Sequence, residues 1–132
     1  MTEESTPDRM AALAANASAA FELLEDGVRT DSVLRGLAEG EELCAFMEKG
    51  VSARTKLESF SAAGLTAGEF VGLVLSTYHG KELVDQVPDV LEQLRALRTG
   101  LSRGIAPRSS ADHLESLRDY FYRFTRALAQ AQ

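Results

Sequence analysis

The sequence has no tryptophan, one cysteine, two histidines and three prolines among its 132 residues, and each shortage removes a class of function. Cys44, being alone, cannot close an intramolecular disulfide, so no disulfide framework supports the fold, as suits a reducing compartment. A structural zinc site needs a full tetrahedral set of Cys and His ligands. Cys44, His79 and His113 are too few and too scattered, and no metal or other cofactor is expected. Long apolar runs are also missing. The alanine-rich stretch from Met10 to Leu24 is interrupted by Asn16, Ser18 and Glu22 and preceded by Glu3, Glu4 and Asp8, which fits neither a secretory signal nor a membrane span. A soluble, cytoplasmic protein with no membrane partner is the expectation. No segment alternates apolar and polar residues with period two, and β-branched residues are few and dispersed, so strands are not expected.

What is present is helical patterning. Hydrophobic residues make up 45% and charged residues 26% of the chain, proportions of an ordinary folded domain. Residues 1–5 read as a flexible tail and 6–132 as a single helical domain. Thr6-Pro7-Asp8 is a helix start, with an N-cap, a proline at the first position and an acid in the first turn. Met10, Leu13, Ala17, Ala20, Phe21 and Leu24 follow at steps of three and four, and Gly27 supplies the stop. A short helix is expected from Thr30 or Asp31 to Gly40, and another from Glu41 to Gly64 that Gly50 kinks or divides. Thr66-Ala67-Gly68-Glu69 has the form of a capping box. It opens a helix of about 66–79 that is apolar nearly all round and therefore expected to be central. Pro88 restarts the chain to Gly100. A Gly/Ser/Arg/Pro loop follows, and a last helix, capped by Ser109 or Ser110, carries Leu114, Leu117, Phe121, Phe124 and Leu128 on a heptad seam. The fold class is all-α: a compact bundle of about five to six helices.

Small residues recur every four positions at Gly64, Gly68, Gly72, Ser76 and Gly80, along one ridge direction of a helix. An interior glycine costs about 1 kcal/mol relative to alanine, so close packing at Gly68, Gly72 and Ser76 is expected to offset it. A bulky residue at Gly72 should then loosen the fold.

Motifs for chemistry are sparse. His79-Gly80-Lys81 has the wrong order for a phosphotransfer histidine, and no lysine closely follows His113. The Leu57–Tyr78 segment has a helix–turn–helix outline, but its second helix presents no basic residue before Lys81, and the net charge of −6 opposes phosphate binding, so nucleic acid is disfavoured as a partner. No Glu-x-x-His pair for a di-iron site is present, and Cys44 sits in an apolar stretch as a buried thiol. No catalytic, cofactor-binding or metal residue can be assigned.

Charge is unevenly placed. Residues 1–50 hold 11 acidic and 4 basic side chains, whereas residues 51–132 hold 9 and 10. Arg95, Arg98, Arg103 and Arg108 form an acid-free group, a candidate contact for an anion or an acidic partner surface. On the last helix Tyr120, Tyr122 and Arg123 lie off the seam. Aromatic and arginine residues are enriched where proteins meet, so these three are the candidate partner surface. The function expected is a non-enzymatic protein–protein interaction module, adaptor-like or chaperone-like, binding another protein or a second copy of itself. The alternative is a bundle with a small-molecule or catalytic pocket along Gly64–Gly80.

Overall fold

Thr6-Pro7-Asp8 opens a helix where the capping pattern places it. The computed structural model describes residues 6–27, 30–56, 62–104 and 111–131, except for the side chains of 55–56, 62–66, 111–113 and 131. The expected 1–5 tail and the Ser109/Ser110 cap lie outside the described residues. Among those described there are six helices and no strand: α1 (Thr6–Glu25), α2 (Asp31–Lys56), α3 (Ala62–Leu75), α4 (Gly80–Asp85), α5 (Val87–Ser102) and α6 (Ala111–Ala131). The chain is an all-α bundle.

α1 buries the expected face, with Met10, Leu13, Ala17, Ala20, Phe21 and Leu24 all in the core. It ends as read: Gly27 takes φ +84°, and its N–H donates to the Leu24 carbonyl at 3.0 Å, closing the helix through a left-handed residue that glycine adopts without strain.

α2 departs from the expected boundaries. It runs unbroken for 26 residues, through Gly36, Gly40 and Gly50. A Cβ at Gly36 would stand 2.6 Å from the Ala20 Cβ, and one at Gly40 would stand 3.1 Å from both the Ala17 Cβ and the Phe121 ring. At Gly50 it would stand 2.4 Å from the Ala67 carbonyl oxygen. These glycines are seats for neighbouring helices: α1 lies across Gly36 and Gly40, and α3 across Gly50. Close approach of a neighbouring main chain at Gly36 and Gly50, and of side chains at Gly40, replaces what each loses in helix propensity. α2 consequently packs on α1, α3 and α5 and is the hub of the bundle, while α6 covers α1.

α3 begins at Ala62, so Thr66 lies inside a helix instead of capping one; the Ala62–Ala63 pair has the highest helix propensity available and extends the start. Its other end comes early. Ser76 Oγ donates to the Leu73 carbonyl and Thr77 Oγ1 to the Val74 carbonyl, each at 2.6 Å. These side chains offer the backbone an alternative to continued helix. Leu75 is left 39% exposed, and Tyr78, expected on an apolar helix, is 81% exposed in the turn beyond it.

In α6 the seam residues Leu114, Leu117, Phe121, Phe124 and Leu128 are all buried. Tyr120 is buried too, at 2% exposure, which corrects its expected place on the surface. Tyr120 lies one turn from both Leu117 and Phe124. Because α6 meets α3 and α4 as well as α1, its covered strip is wider than a two-position seam. Phe21 and Phe121 stack with centroids 6.2 Å apart, and Tyr120 meets the Phe121 ring edge-on at 5.2 Å.

Candidate functional site

Two members of the arginine group, Arg95 and Arg98, face a carboxylate of the same molecule. Arg98 on α5 grips Glu41 on α2 through Nε and through Nη2, the latter at 3.1 Å, and Arg95 Nε lies 3.9 Å from the same carboxylate. The hydrogen bond to Glu41 raises the Arg98 pKa further above its ordinary value. Arg98, with Arg95 beside it, therefore links α5 to α2 through Glu41, a carboxylate of the same molecule, where an anion or an acidic partner surface was expected. Arg103 caps the end of α5 and is exposed. Arg108 lies outside the described residues.

The glycine ladder holds a side chain of the protein itself. Arg54 of α2 runs along it and donates from Nη1 to the Gly68 carbonyl at 3.3 Å. A Cβ at Gly68 would lie 3.5 Å from the Arg54 Cγ, and one at Gly72 would lie 2.9 Å from the Arg54 Nη1. The main chain of α3 comes against α2 at Gly50, where a Cβ would lie 2.4 Å from the Ala67 carbonyl oxygen, whereas at Gly72 the neighbour is the Arg54 side chain. Ser76 lies beyond the end of α3 and is exposed, so it takes no part in close helix packing. The surroundings of Gly64 lie outside the described set. Glycine spacing marked the groove but not its occupant, because the four-residue rule does not say which partner atom fills it.

The surviving candidate surface is on α6, joined by a turn that the residue pattern did not connect with it. Tyr122 is 53% exposed, and the Arg126 guanidinium sits 5.8 Å from its ring centroid, a cation–π contact one helical turn along. Arg123 Nη1 lies 3.9 Å from the Glu82 carboxylate on α4, and His79 Nδ1 lies 3.6 Å from the same oxygen. Glu82 thus ties the α3–α4 turn to α6. In that turn His79 has φ 65° and ψ 14°, the left-handed region, and its ring meets Tyr78 edge-on with centroids 4.0 Å apart.

Between the turn and α6 is an open depression of about 270 Å³. Buried Leu83 and Ala127 floor it, and Tyr78, His79, Arg123 and Arg126 surround it. A second depression, on the other side of Arg123, is lined by Gln86, Ser116, Asp119 and Tyr122. Of the three expected surface residues, Tyr122 and Arg123 are in place and Tyr120 is not. Arg126, which sequence reasoning missed, was legible as the residue one turn beyond Tyr122 and Arg123. Tyr78 and His79 could not be assigned to this face without knowing that α3 stops at Leu75.

The groups that could do covalent chemistry are placed apart. Cys44 is buried in the core; burial, assisted by Glu48 and Glu41, pushes its thiol up to about 12, so it holds its proton and is a poor nucleophile. Among the described residues no group of three or more His, Cys, Asp or Glu side chains could hold a metal ion, and no helix is long and apolar enough to cross a membrane. Comparison with family models, with curated proteins and with solved structures finds no match.

Proposed function

We propose that this chain is a small, non-enzymatic protein-interaction module of the cytoplasm, which docks a partner protein or a second copy of itself on the face formed by Tyr78, Tyr122, Arg123 and Arg126. The observation that carries the reading is the joint exposure of the two tyrosines, at 81% and 53%, beside arginines on a helix whose opposite side is locked into the core. Tyrosine and arginine supply large contact area with a polar tip, and they dominate binding energy where proteins meet. Around them the fold is rigid: α6 is anchored by Phe121 and Phe124, both fully buried, so the face is presented without an ordering cost on binding. The composition, with its one cysteine, supports the cytoplasmic placement.

Site-specific photo-cross-linking in living cells tests this reading. A benzophenone side chain placed at Tyr78 and, separately, at Tyr122 should give the same discrete protein adduct, and one placed at exposed Glu92 on α5 should not. The reading fails if all three positions behave alike, or if Tyr78 and Tyr122 give no adduct.

A further inference from the structure

Among the described residues the exposed large apolar side chains are Leu23, Leu75, Tyr78 and Tyr122. Leu23 is the one set among acids. It lies at the end of α1 at 38% exposure, flanked by Glu22, Glu25 and Asp26. Arg118 holds Glu25 at 2.7 Å, whereas Glu22 and Asp26 are exposed and make no ion pair among the described residues. The α1 end is therefore an apolar side chain between two uncommitted carboxylates about one helical turn apart.

The depression between the α3–α4 turn and α6 is its complement. Its floor, Leu83 and Ala127, is apolar. Its two cations, Arg123 and Arg126, are also about one turn apart on one helix face. Glu82 is shared between Arg123 and His79, and Arg126 contacts the Tyr122 ring. The volume, about 270 Å³, is below the roughly 300–1,000 Å³ of sites that enclose a drug-sized ligand and suits a single inserted side chain.

We propose that a second copy of this chain docks head to tail in this depression. Its Leu23 seats on Leu83 and Ala127, and its Glu22 and Asp26 meet Arg123 and Arg126. The inference rests on the reading of the Tyr78–Tyr122 face as a docking surface and names the partner for it. Both halves of the contact are on the one sequence, and their charges are opposite. The two patches are different, so the contact is heterologous, and every copy carries one half of each.

That property supplies the test. Sedimentation velocity and light scattering are run on the full chain, on Arg126→Glu, on Asp26→Arg, and on an equimolar mixture of the two variants, with circular dichroism melting to confirm that each is folded. The unsubstituted chain should associate with rising concentration, and each variant alone should associate at least about tenfold more weakly, because reversal sets like charges together. The mixture should recover association to about the level of the unsubstituted chain, since the Asp26 of one variant and the Arg126 of the other make the native contact and the two reversed charges meet each other as opposites. Leu23→Ser, which alters no charge, should also weaken association. Unsubstituted chain that stays monomeric to millimolar concentration overturns the inference, as does a mixture no more associated than its components. Cross-linking from Tyr122 to a different protein, with the pure chain monomeric, overturns the second copy while leaving the docking reading intact; failure of both cross-linking and association removes the two together.

Discussion

The Tyr120 hydroxyl on α6 donates to the Leu83 carbonyl on α4 at 2.7 Å, in a buried setting. α4 has only six residues, too short to be stable by itself. Its place is fixed by this bond and by the burial of Leu83, and with it the turn that carries Tyr78 and His79. The tyrosine expected to touch a partner therefore holds the floor of the candidate site.

Tyr120→Phe should cost about 1–3 kcal/mol, since it leaves a buried carbonyl without its donor. Tyr122→Phe, at an exposed position, should stay within about 0.5 kcal/mol of the original. Urea unfolding of the two variants makes the comparison, and equal midpoints would contradict the bond's role.

Glycines in α2 and α3 should respond with opposite signs. Gly50→Ala puts a methyl 2.4 Å from the Ala67 carbonyl oxygen, a main-chain atom that cannot turn aside. A loss of about 1–3 kcal/mol is expected despite alanine's better helix propensity. At Gly68 the nearest atom is the Arg54 Cγ at 3.5 Å, ordinary contact distance, so Gly68→Ala should stabilise by up to about 1 kcal/mol. Thermal unfolding of both variants reads the sign directly.

His79 is the one non-glycine with positive φ among the described residues. The left-handed conformation costs roughly 1–2 kcal/mol, and glycine avoids it at an entropic cost of about 0.5–1 kcal/mol in the unfolded chain. His79→Gly should therefore raise stability by about 0.5 kcal/mol while weakening whatever docks on Tyr78 and Glu82. A melting temperature that falls would show that the ring's contacts outweigh the backbone strain.

Alkaline pH should destabilise the fold. The Cys44 thiol is moved from its ordinary 9.0 up to about 12 by burial first and by Glu48 and Glu41 next; burial also raises the Tyr120 phenol, with Cys44 adding to the rise and Arg123 opposing it. Each group keeps its proton in the folded chain where the unfolded chain loses it. The stability that the thiol contributes is whole below its ordinary 9.0 and is lost as pH climbs toward about 12, while the phenol's share is lost only at higher pH. Denaturant unfolding across that window should show the decline, and Cys44→Ala should flatten part of it. In the native protein, iodoacetamide should modify Cys44 only as fast as the chain opens.

Glu41→Gln should release both Arg95 and Arg98 from α2. Glu41 is 11% and Arg98 45% exposed at the side chain, so solvent screens the pair and the loss should be no more than about 1 kcal/mol. A double-mutant cycle with Arg98→Ala measures it, and additive effects would mean that the clamp contributes nothing.

Most of the helical content was legible locally. The faces of α1 and α6 follow from apolar residues three and four apart, and Gly27 closes α1 as a left-handed cap. Gly40 and Gly50 misled because a glycine that ends or bends a helix and one that receives a neighbouring helix look the same in sequence. At the candidate site, Tyr122 and Arg123 could be found from their position off the seam. Tyr120 could not be told from them, because its burial depends on α4.

The sequence by itself determined that the chain is all-α, where its helical faces run, and that it has one buried thiol and an acidic first part, because periodicity, capping and composition act within a few residues of where they are read. Only the tertiary structure decided that α2 is the hub, that Glu41 faces both Arg95 and Arg98, that Arg54 fills the glycine groove, and that Tyr78 and His79 stand beside Arg123 and Arg126. Each of those facts joins residues distant in sequence, and such contacts are selected by which surfaces fit at van der Waals distance, a property that no local pattern records.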